Sequence, residues 1–446
     1  MRSLLQYTNK LYILAGIILY LSLLFFWHLP YLTYNLIAFF TFLTYAIIIL
    51  ASLNLKENKY TSQRLAFTVF FYSLLFVSIY MAVSYYYMGN TFIFSEVDAR
   101  LYEGWSYSIK DLTYEQKLSQ LSSYEELEFD DWGAPLTMSF ILKILPYKEF
   151  LNFIYIILNT VSTCMLFAIG KTIMDKRYSY VGALLYGTAS YTVFFMGSFL
   201  KETMLMFLVI SSIYFLYKYR TNKKLVYIVL GLCISLLIFF FRPVITITVW
   251  LSYLIYFLFV EKRLFLRIIL SVLAVVIVFF AFNLAAELFF KYRIGREALF
   301  GDFTLFDRLV FVIGGLIGPF PSLLQIGPEF TEKPLYGAGL LFKLMLVFCF
   351  WRGFFYSIGK RVYDALPLYV FIIVETIELI LLFDSLELRK SLPHIPFFIL
   401  TSIWYIYQIE NSSKNKKKII RTKYWIAASS VIAIVIVFSW NILTRQ

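Results

Sequence analysis

Long apolar runs follow one another along the chain, and short groups of Lys and Arg separate them. A helix needs about 20 consecutive apolar residues to cross the hydrocarbon core of a bilayer. The pattern therefore predicts an all-α polytopic membrane protein with about 13 transmembrane helices. The spans are expected at 11–29, 31–53, 65–88, 150–170, 178–197, 200–217, 225–241, 243–260, 265–288, 335–356, 363–383, 392–408 and 424–443.

Two further apolar segments do not have the form of simple spans. Residues 134–146 are too short to cross the bilayer. Residues 307–325 contain the sequence GPFP and are predicted to form a half-membrane hairpin or a helix on the outer surface. Irregular backbone is tolerated at that depth only where it is buried or lines a cavity. No sustained repeat or low-complexity linker divides the chain, so residues 1–446 are predicted to form a single integral membrane domain.

Composition and charge support this class and exclude others. The chain is 61% hydrophobic, whereas soluble domains are about 45–50% apolar. The net charge of +13 is compatible with nucleic-acid binding, but the bases lie in short clusters between spans, such as SKNKKKIIRTK at 413–423. Such clusters are typical of cytoplasmic loops. We therefore expect a multi-pass protein of the cell (inner or plasma) membrane with a cytoplasmic N-terminus, in contact with the lipid bilayer and with no nucleic-acid partner.

The same charge pattern predicts a large acidic extracytoplasmic loop with short interfacial helices at residues 89–149. Its first part, 89–133, contains ten acidic and three basic residues. The acidic residues are Glu96, Asp98, Glu103, Asp111, Glu115, Glu125, Glu126, Glu128, Asp130 and Asp131.

Asp98 and Tyr102 begin this acidic segment and stand four positions apart, so on a helix they share one face. A carboxylate at interface height beside Tyr102 and Trp105 is partly desolvated, which favours uptake of a proton from a hydroxyl. A solvated loop with aromatic interface anchors is the alternative.

A second acidic group lies in ELEFDDWGAPL (126–136), where Glu128, Asp130 and Asp131 precede Trp132. Paired acids can hold a divalent cation or bind sugar hydroxyls, and the indole offers a stacking surface. A charged loop edge is the alternative. A divalent cation therefore stays open as a cofactor.

Several basic residues at the predicted outer ends of spans run against the positive-inside trend. Guanidinium groups match phosphate oxygens in geometry and charge, so these residues could bind a lipid-linked phosphate or diphosphate. Pairing with the acidic loop would also account for them. They are Lys201, Arg242, Arg293, Arg296, Arg308, Arg389 and Lys390, with His394 close to the last two.

Glu375 and Glu378 lie one turn apart inside a predicted span, in VETIEL. Acids within the membrane are costly and usually face the bundle interior with a partner. Lys343 or an outer arginine could provide that partner, or the two acids could belong to an ion pathway.

The order of these features resembles the GT-C superfamily of polytopic glycosyltransferases, particularly its bacterial protein-mannosyltransferase-like and aminoarabinose-transferase-like branch. EVDARLYEGW is similar to the Asp-x-x-x-Tyr motif of the first outer loop in that branch. DDWGAPLTMSFILKIL resembles the Pro-Leu opening of the next helix, and FLKETM and FFFRPV resemble the following charged turn and Arg-Pro pair. LELRKSLPHIPFFIL resembles the late Arg-x-x-x-Pro-x-x-Pro stretch.

This resemblance implies a GT-C-like fold and a polyprenyl-phosphate-linked sugar as donor. It also implies transfer at the extracytoplasmic face to a glycan, lipid or protein acceptor. A single base beside the acceptor implies inversion at the anomeric carbon. Carried over by position, Asp98 is the catalytic base, with Glu96, Glu103 or the acidic cluster at 128–131 as a second acid. The donor phosphate would be bound by Arg242, Lys201, Arg389 and Arg308. The substrate would be bound by Tyr102, Asp130, Asp131, Trp132 and His394.

The chain departs from this pattern at two points. Ala99 stands where that branch often has an acid after the first Asp, which leaves the partner of Asp98 and any metal use open. The acidic loop also follows the third predicted span rather than the first, which implies two additional N-terminal helices.

Two other functions are compatible with the sequence. An O-antigen-polymerase-like protein joining lipid-linked oligosaccharide units would depend on Arg242, Arg293, Arg296 and Arg308, with Asp98 dispensable. A lipid or glycan transporter would depend instead on Lys343, Glu375 and Glu378.

Overall fold

The computed structural model describes residues 3–26, 32–93, 96–124, 127, 129–261, 268, 272, 312–324, 331–382, 388–412 and 416–443. Within these ranges all regular structure is helical. In chain order the helices are α1 (Leu4–Phe26), α2 (Leu32–Leu53), α3 (Ser62–Met88), α4 (Glu96–Ile109), α5 (Tyr114–Ser123), α6 (Gly133–Ile144), α7 (Lys148–Ile173), α8 (Lys176–Gly187), α9 (Ser190–Gly197), α10 (Glu202–Asn222), α11 (Val226–Ile238), α12 (Pro243–Ile255), α13 (Lys333–Gly359), α14 (Leu366–Leu382), α15 (Ile395–Ser412) and α16 (Lys416–Leu443).

Seven stretches of helix in the described residues are long and apolar enough to cross a membrane. Helices α9 and α10 together would make an eighth stretch if they form one broken span. They are bent by 120° at the break between them. The seven stretches are Leu4–Leu23, Leu32–Leu53, Ser62–Met88, Lys148–Ile173, Pro243–Val260, Lys333–Gly359 and Lys417–Ile442. The chain is therefore a multi-pass helical membrane protein.

The 13 predicted spans are seen only in part. The apolar run 178–197 is divided into α8 and α9, and the two residues between them, Thr188 and Ala189, are not helical. Helix α11 has 13 residues and α14 has 17, fewer than the pattern suggested. Apart from residues 268 and 272, the predicted span 265–288 lies outside the described residues. Residues 312–324 of the segment predicted as a hairpin or surface helix are described, with 312–317 helical and 318–324 without regular secondary structure.

The acidic segment between α3 and α7, predicted to contain short helices, is mostly helical in its described residues. Helices α4, α5 and α6 follow one another there, and α4 packs against both others. A capping box between Thr113 and Gln116 starts α5. Ile109, Leu121 and Leu127 form a small core of their own between these helices. The short segment at 134–146 corresponds to α6, whose 12 residues are too few to cross a bilayer.

Tyrosines are abundant in the bundle core, and several of their hydroxyl groups, though not all, bond to backbone carbonyls of other helices. Tyr12 donates to the carbonyl of Met345 at 2.6 Å, and Tyr80 donates to that of Leu335 at 2.8 Å. A buried hydroxyl without a partner would be costly, so each bond makes a large aromatic ring tolerable in the core. These bonds tie α1 and α3 to α13.

Helices α10 and α11 approach closely at Gly231. Ser212 donates to the carbonyl of Gly231 at 2.8 Å, and Tyr253 donates to the carbonyl of Ser212 at the same distance. A Cβ atom at position 231 would lie 1.8 Å from the Tyr253 hydroxyl oxygen. We expect Gly231→Ala to displace Tyr253 and to lower the free energy of unfolding by about 1–3 kcal/mol.

Thermal unfolding of the detergent-solubilised protein measures this effect. Gly104→Ala is the matched control, because a Cβ there meets no atom within 4 Å. A melting temperature for Gly231→Ala at or above that of Gly104→Ala would contradict the close approach.

Candidate functional site

Acidic and basic side chains from distant parts of the chain meet at the first residues of α10. Arg389 lies in a helical turn, Leu388–Ser391, and contacts two other segments. Its Nη1 forms an ion pair with Asp98 of α4, and its Nε forms another with Glu202 of α10. Its Nη2 donates to the Tyr102 hydroxyl at 3.4 Å. The four-residue spacing of Asp98 and Tyr102 thus places both side chains on Arg389.

A second ion pair continues from these contacts. Lys201 pairs with Asp131 and also donates to the carbonyl of Phe241 at 3.0 Å. Tyr102 donates to Asp131 at 2.9 Å and so connects the two ion-paired groups. We call the six residues Asp98, Tyr102, Asp131, Lys201, Glu202 and Arg389 the Arg389 network.

Local backbone geometry positions the two halves of this network. Phe199 adopts a left-handed φ of 59° in the break between α9 and α10, which is uncommon for a bulky side chain. The 120° bend at this break places Lys201 and Glu202 at the start of α10. On the other side, Gly133 donates its backbone N–H to the carbonyl of Phe240 at 2.8 Å. A Cβ at Gly133 would lie 2.7 Å from that carbonyl oxygen, so glycine allows the approach that holds Asp131 near Lys201.

The network is buried on one side and open on the other. Glu202 is 1% exposed and Tyr102 is 4% exposed. The side chain of Asp98 is 45% exposed, and that of Asp131 is 33% exposed. A solute or lipid headgroup can therefore reach the two aspartates, while Glu202 forms an ion pair with Arg389 on the buried side.

Burial and neighbouring charges shift the pKa values of Asp131, Tyr102 and Arg389. Burial would raise the pKa of the Asp131 carboxyl, but Lys201 and Tyr102 outweigh burial and hold the pKa below its usual range. Burial and the charge of Asp131 raise the pKa of Tyr102, which stays a protonated donor. Burial would lower the pKa of Arg389, but the surrounding acids, Glu202 first, raise it. Arg389 is therefore a permanent cation.

Other predicted site residues lie beside or away from the network. Arg242 is close to it, donating from Nη1 to the carbonyl of Lys390 at 3.4 Å. Trp132 follows Asp131 and packs against Phe129, with ring centroids 5.2 Å apart.

Glu103 and His394 are not part of the network. The carboxylate of Glu103 lies 3.9 Å from the ammonium of Lys148, at the start of α7. His394 is 2% exposed, and its Nδ1 lies 3.7 Å from a Glu375 carboxylate oxygen. The side chains of Glu96 and Asp130, and all of Arg293, Arg296 and Arg308, lie outside the described residues.

Glu202 is the residue to which the sequence assigned no role. A lone Glu at the first position of a helix ordinarily interacts with the helix dipole and remains in water. Here it is buried and binds the guanidinium of Arg389. No signal in the sequence connects two residues that are 187 positions apart.

A second group of ionisable side chains is buried deeper among α13, α14 and the turn before α15. It consists of Lys343, Glu375, Glu378 and His394, each at most 7% exposed. Both oxygens of Glu375, Oε2 of Glu378 and Nδ1 of His394 lack a hydrogen-bond partner among the described residues. The sequence offered Lys343 or an outer arginine as the partner of these acids, and the ionic contact seen among the described residues of this group is the one between Glu375 and His394.

Within the described residues, no group of three or more His, Cys, Asp or Glu side chains has the arrangement of a metal site. The network carboxylates Asp98, Asp131 and Glu202 are instead paired with Arg389 and Lys201. We therefore derive no step through a metal ion.

Long apolar helices with a charged network at one end define a multi-pass α-helical membrane protein. No family model matches the chain, and a search of curated proteins finds no match. The resemblance to the GT-C superfamily therefore rests on the sequence motifs alone.

Proposed function

We propose that this protein is a membrane glycosyltransferase. It transfers a sugar from a polyprenyl-phosphate-linked donor to a hydroxyl group of a glycan, lipid or protein acceptor, with inversion. The observation that carries the proposal is the Arg389 network, in which an accessible carboxylate, Asp98, contacts a permanent cation at one end of the bundle. The proposal includes the orientation predicted from the Lys/Arg clusters, with a cytoplasmic N-terminus and an extracytoplasmic site.

Donor binding in this proposal is an exchange of partners on Arg389. Glu202 anchors the guanidinium through Nε, and Asp98 occupies Nη1 at the exposed edge. The phosphate of the donor offers more acceptor oxygens than a carboxylate and competes well for a guanidinium. When phosphate takes the place of Asp98, this carboxylate is released beside the reacting sugar. Arg242 adds positive charge near the leaving group.

The chemical step is then a single displacement. The acceptor hydroxyl oxygen forms a bond to the anomeric carbon while its proton passes to Asp98. The bond from the anomeric carbon to the phosphate oxygen breaks, and polyprenyl phosphate leaves with the bonding electron pair. Arg389 stabilises the negative charge that develops on it. Attack opposite the leaving group inverts the anomeric configuration.

Reconstitution of the purified protein tests the proposal. Proteoliposomes would be loaded with polyprenyl-phosphate-linked sugars extracted from the host membrane, together with candidate acceptors. We expect release of polyprenyl phosphate in equal amount to glycosylated product, with an inverted anomeric configuration in NMR spectra. Movement of the intact donor between leaflets without release of polyprenyl phosphate would refute the transferase proposal.

The buried group of Lys343, Glu375, Glu378 and His394 favours a second candidate, an ion-coupled lipid or glycan transporter. Buried carboxylates whose oxygens accept no hydrogen bond from the described residues are typical of ion or proton pathways in helical bundles. In the transporter, Glu375→Gln would stop movement of the lipid while Asp98→Asn would have little effect. The same proteoliposomes distinguish the two candidates. An O-antigen-polymerase-like function depends mainly on residues outside the described ranges and has no specific support here.

A further inference from the structure

A basic cavity of about 640 Å³ lies at the end of α7 and α10 opposite the Arg389 network. Helix α10 has 21 residues and is therefore about 30 Å long, close to the thickness of a bilayer core. The network is at its first turn, and the cavity is at its last two turns. The two features thus lie at opposite ends of the bundle. Basic side chains lining the cavity are Lys171, Lys176, Lys218 and Arg220.

The charges of this cavity are only partly neutralised. Among the described residues, Asp175 is the one carboxylate that lines it, and this carboxylate accepts a hydrogen bond from Tyr407 at 3.4 Å. Arg220 pairs through Nη2 with Asp364 at 2.6 Å. Its Nη1 is buried and has no hydrogen-bond partner within the described ranges. This nitrogen has no exposed surface, so Arg220 contributes positive charge to the cavity rather than a donor at its surface.

Two of the three lysines that line the cavity, Lys171 and Lys218, contact aromatic rings rather than acids. The ammonium of Lys171 lies 4.8 Å from the ring centroid of Phe167, and that of Lys218 lies 5.8 Å from that of Tyr214. No ion pair involves Lys171, Lys176 or Lys218 in the part of the chain that the structure describes. Cation–π contacts hold a cation in place while its charge stays available to an anion.

We propose that this cavity binds the phosphate group of an anionic phospholipid. Basic pockets between helix ends at the membrane edge fit such headgroups. The hydroxyl groups of Thr172 and Thr221 already donate to the carbonyls of Ile169 and Tyr217, so the lysines are the proposed phosphate donors. The apolar lining of Ala168 and Ile169 on α7 suits the glycerol and upper acyl chains. This apolar lining favours a phospholipid over a soluble phosphate compound. The inference is independent of the proposed transferase function.

Native mass spectrometry of the full-length protein, titrated with dioleoyl phosphatidylglycerol or dioleoyl phosphatidylcholine, tests this site. We expect tighter binding of phosphatidylglycerol and about 30-fold weaker binding after Lys171→Ala with Lys218→Ala. Lys56→Ala with Lys59→Ala is the matched control, because both lysines are exposed in another basic loop and do not line the cavity. The control should bind phosphatidylglycerol as the unmodified protein does.

Three results would overturn the proposal. The first is equal binding of the two lipids. The second is an equal loss of binding in the control, which would indicate general surface attraction. The third is displacement of the lipid by millimolar inorganic phosphate, with equal affinities for the lipid and for free phosphate. This result would assign the cavity to a soluble ligand. Melting temperatures of both double variants verify folding.

Discussion

Asp98→Asn is expected to lower the rate of sugar transfer by about 10²- to 10⁴-fold, the contribution typical of a general base. The amide has nearly the same shape as the carboxylate but does not take up a proton. The Asp98 side chain is 45% exposed, so the change leaves the buried part of the network in place. Initial rates of polyprenyl phosphate release in proteoliposomes measure the effect, after membrane insertion has been verified.

Donor affinity should not fall together with the rate. The neutral amide in the Asp98→Asn protein would compete with the donor phosphate for Arg389 less strongly than the carboxylate does, so the dissociation constant of the donor should stay the same or decrease. Glu115→Gln is the matched control, since Glu115 is an exposed acid of the same segment and belongs to α5. Full transfer by the Asp98→Asn protein, or an equal loss in the control, would exclude Asp98 as the base.

Arg389→Leu should have the largest effect on stability and also abolish donor binding. It leaves the carboxylate of Glu202 buried without its cation, and breaking a buried ion pair in this way costs about 3–5 kcal/mol. The melting temperature in detergent and the binding of the donor measure the two consequences separately. Arg389→Lys keeps the charge but loses the planar fork, so we expect it to fold and to bind the donor weakly.

A second substitution separates the structural role of Arg389 from its proposed role in binding. Combining Arg389→Leu with Glu202→Gln removes the unpaired charge, so most of the lost stability should return. Transfer should not return, because no guanidinium is left at this position to bind the phosphate. Recovery of transfer in this double variant would show that Arg389 acts only by neutralising Glu202.

Several features of the site follow from sequence spacing. Asp98 and Tyr102 were expected on one helix face, and both contact Arg389. The expectation that outward-facing bases meet the acidic segment agrees with the pairing of Lys201 with Asp131. The sequence offered two explanations for those bases, pairing with acids or binding of phosphate. The ion pairs are observed, and phosphate binding stays a prediction.

Other features depended on contacts that local pattern does not encode. The run at 178–217 has enough apolar residues for two spans, yet the chain breaks twice and turns by 120° before α10. This break positions Lys201 and Glu202, and it depends on packing around Phe199 in a left-handed conformation. Glu103 and His394 have suitable chemistry, but their neighbours in the fold are Lys148 and Glu375.

By itself the sequence determined that the protein is helical and crosses a membrane several times. Apolar runs of about 20 residues are long enough to cross a bilayer, where their side chains avoid water. A helix satisfies the hydrogen bonds of its own backbone there. Only the tertiary structure decided that Arg389 contacts Asp98, 291 positions away, and that Glu202 supports it from the buried side. Such contacts are set by how helices pack, and packing depends on shape and charge summed over the whole bundle, which no local stretch of sequence contains.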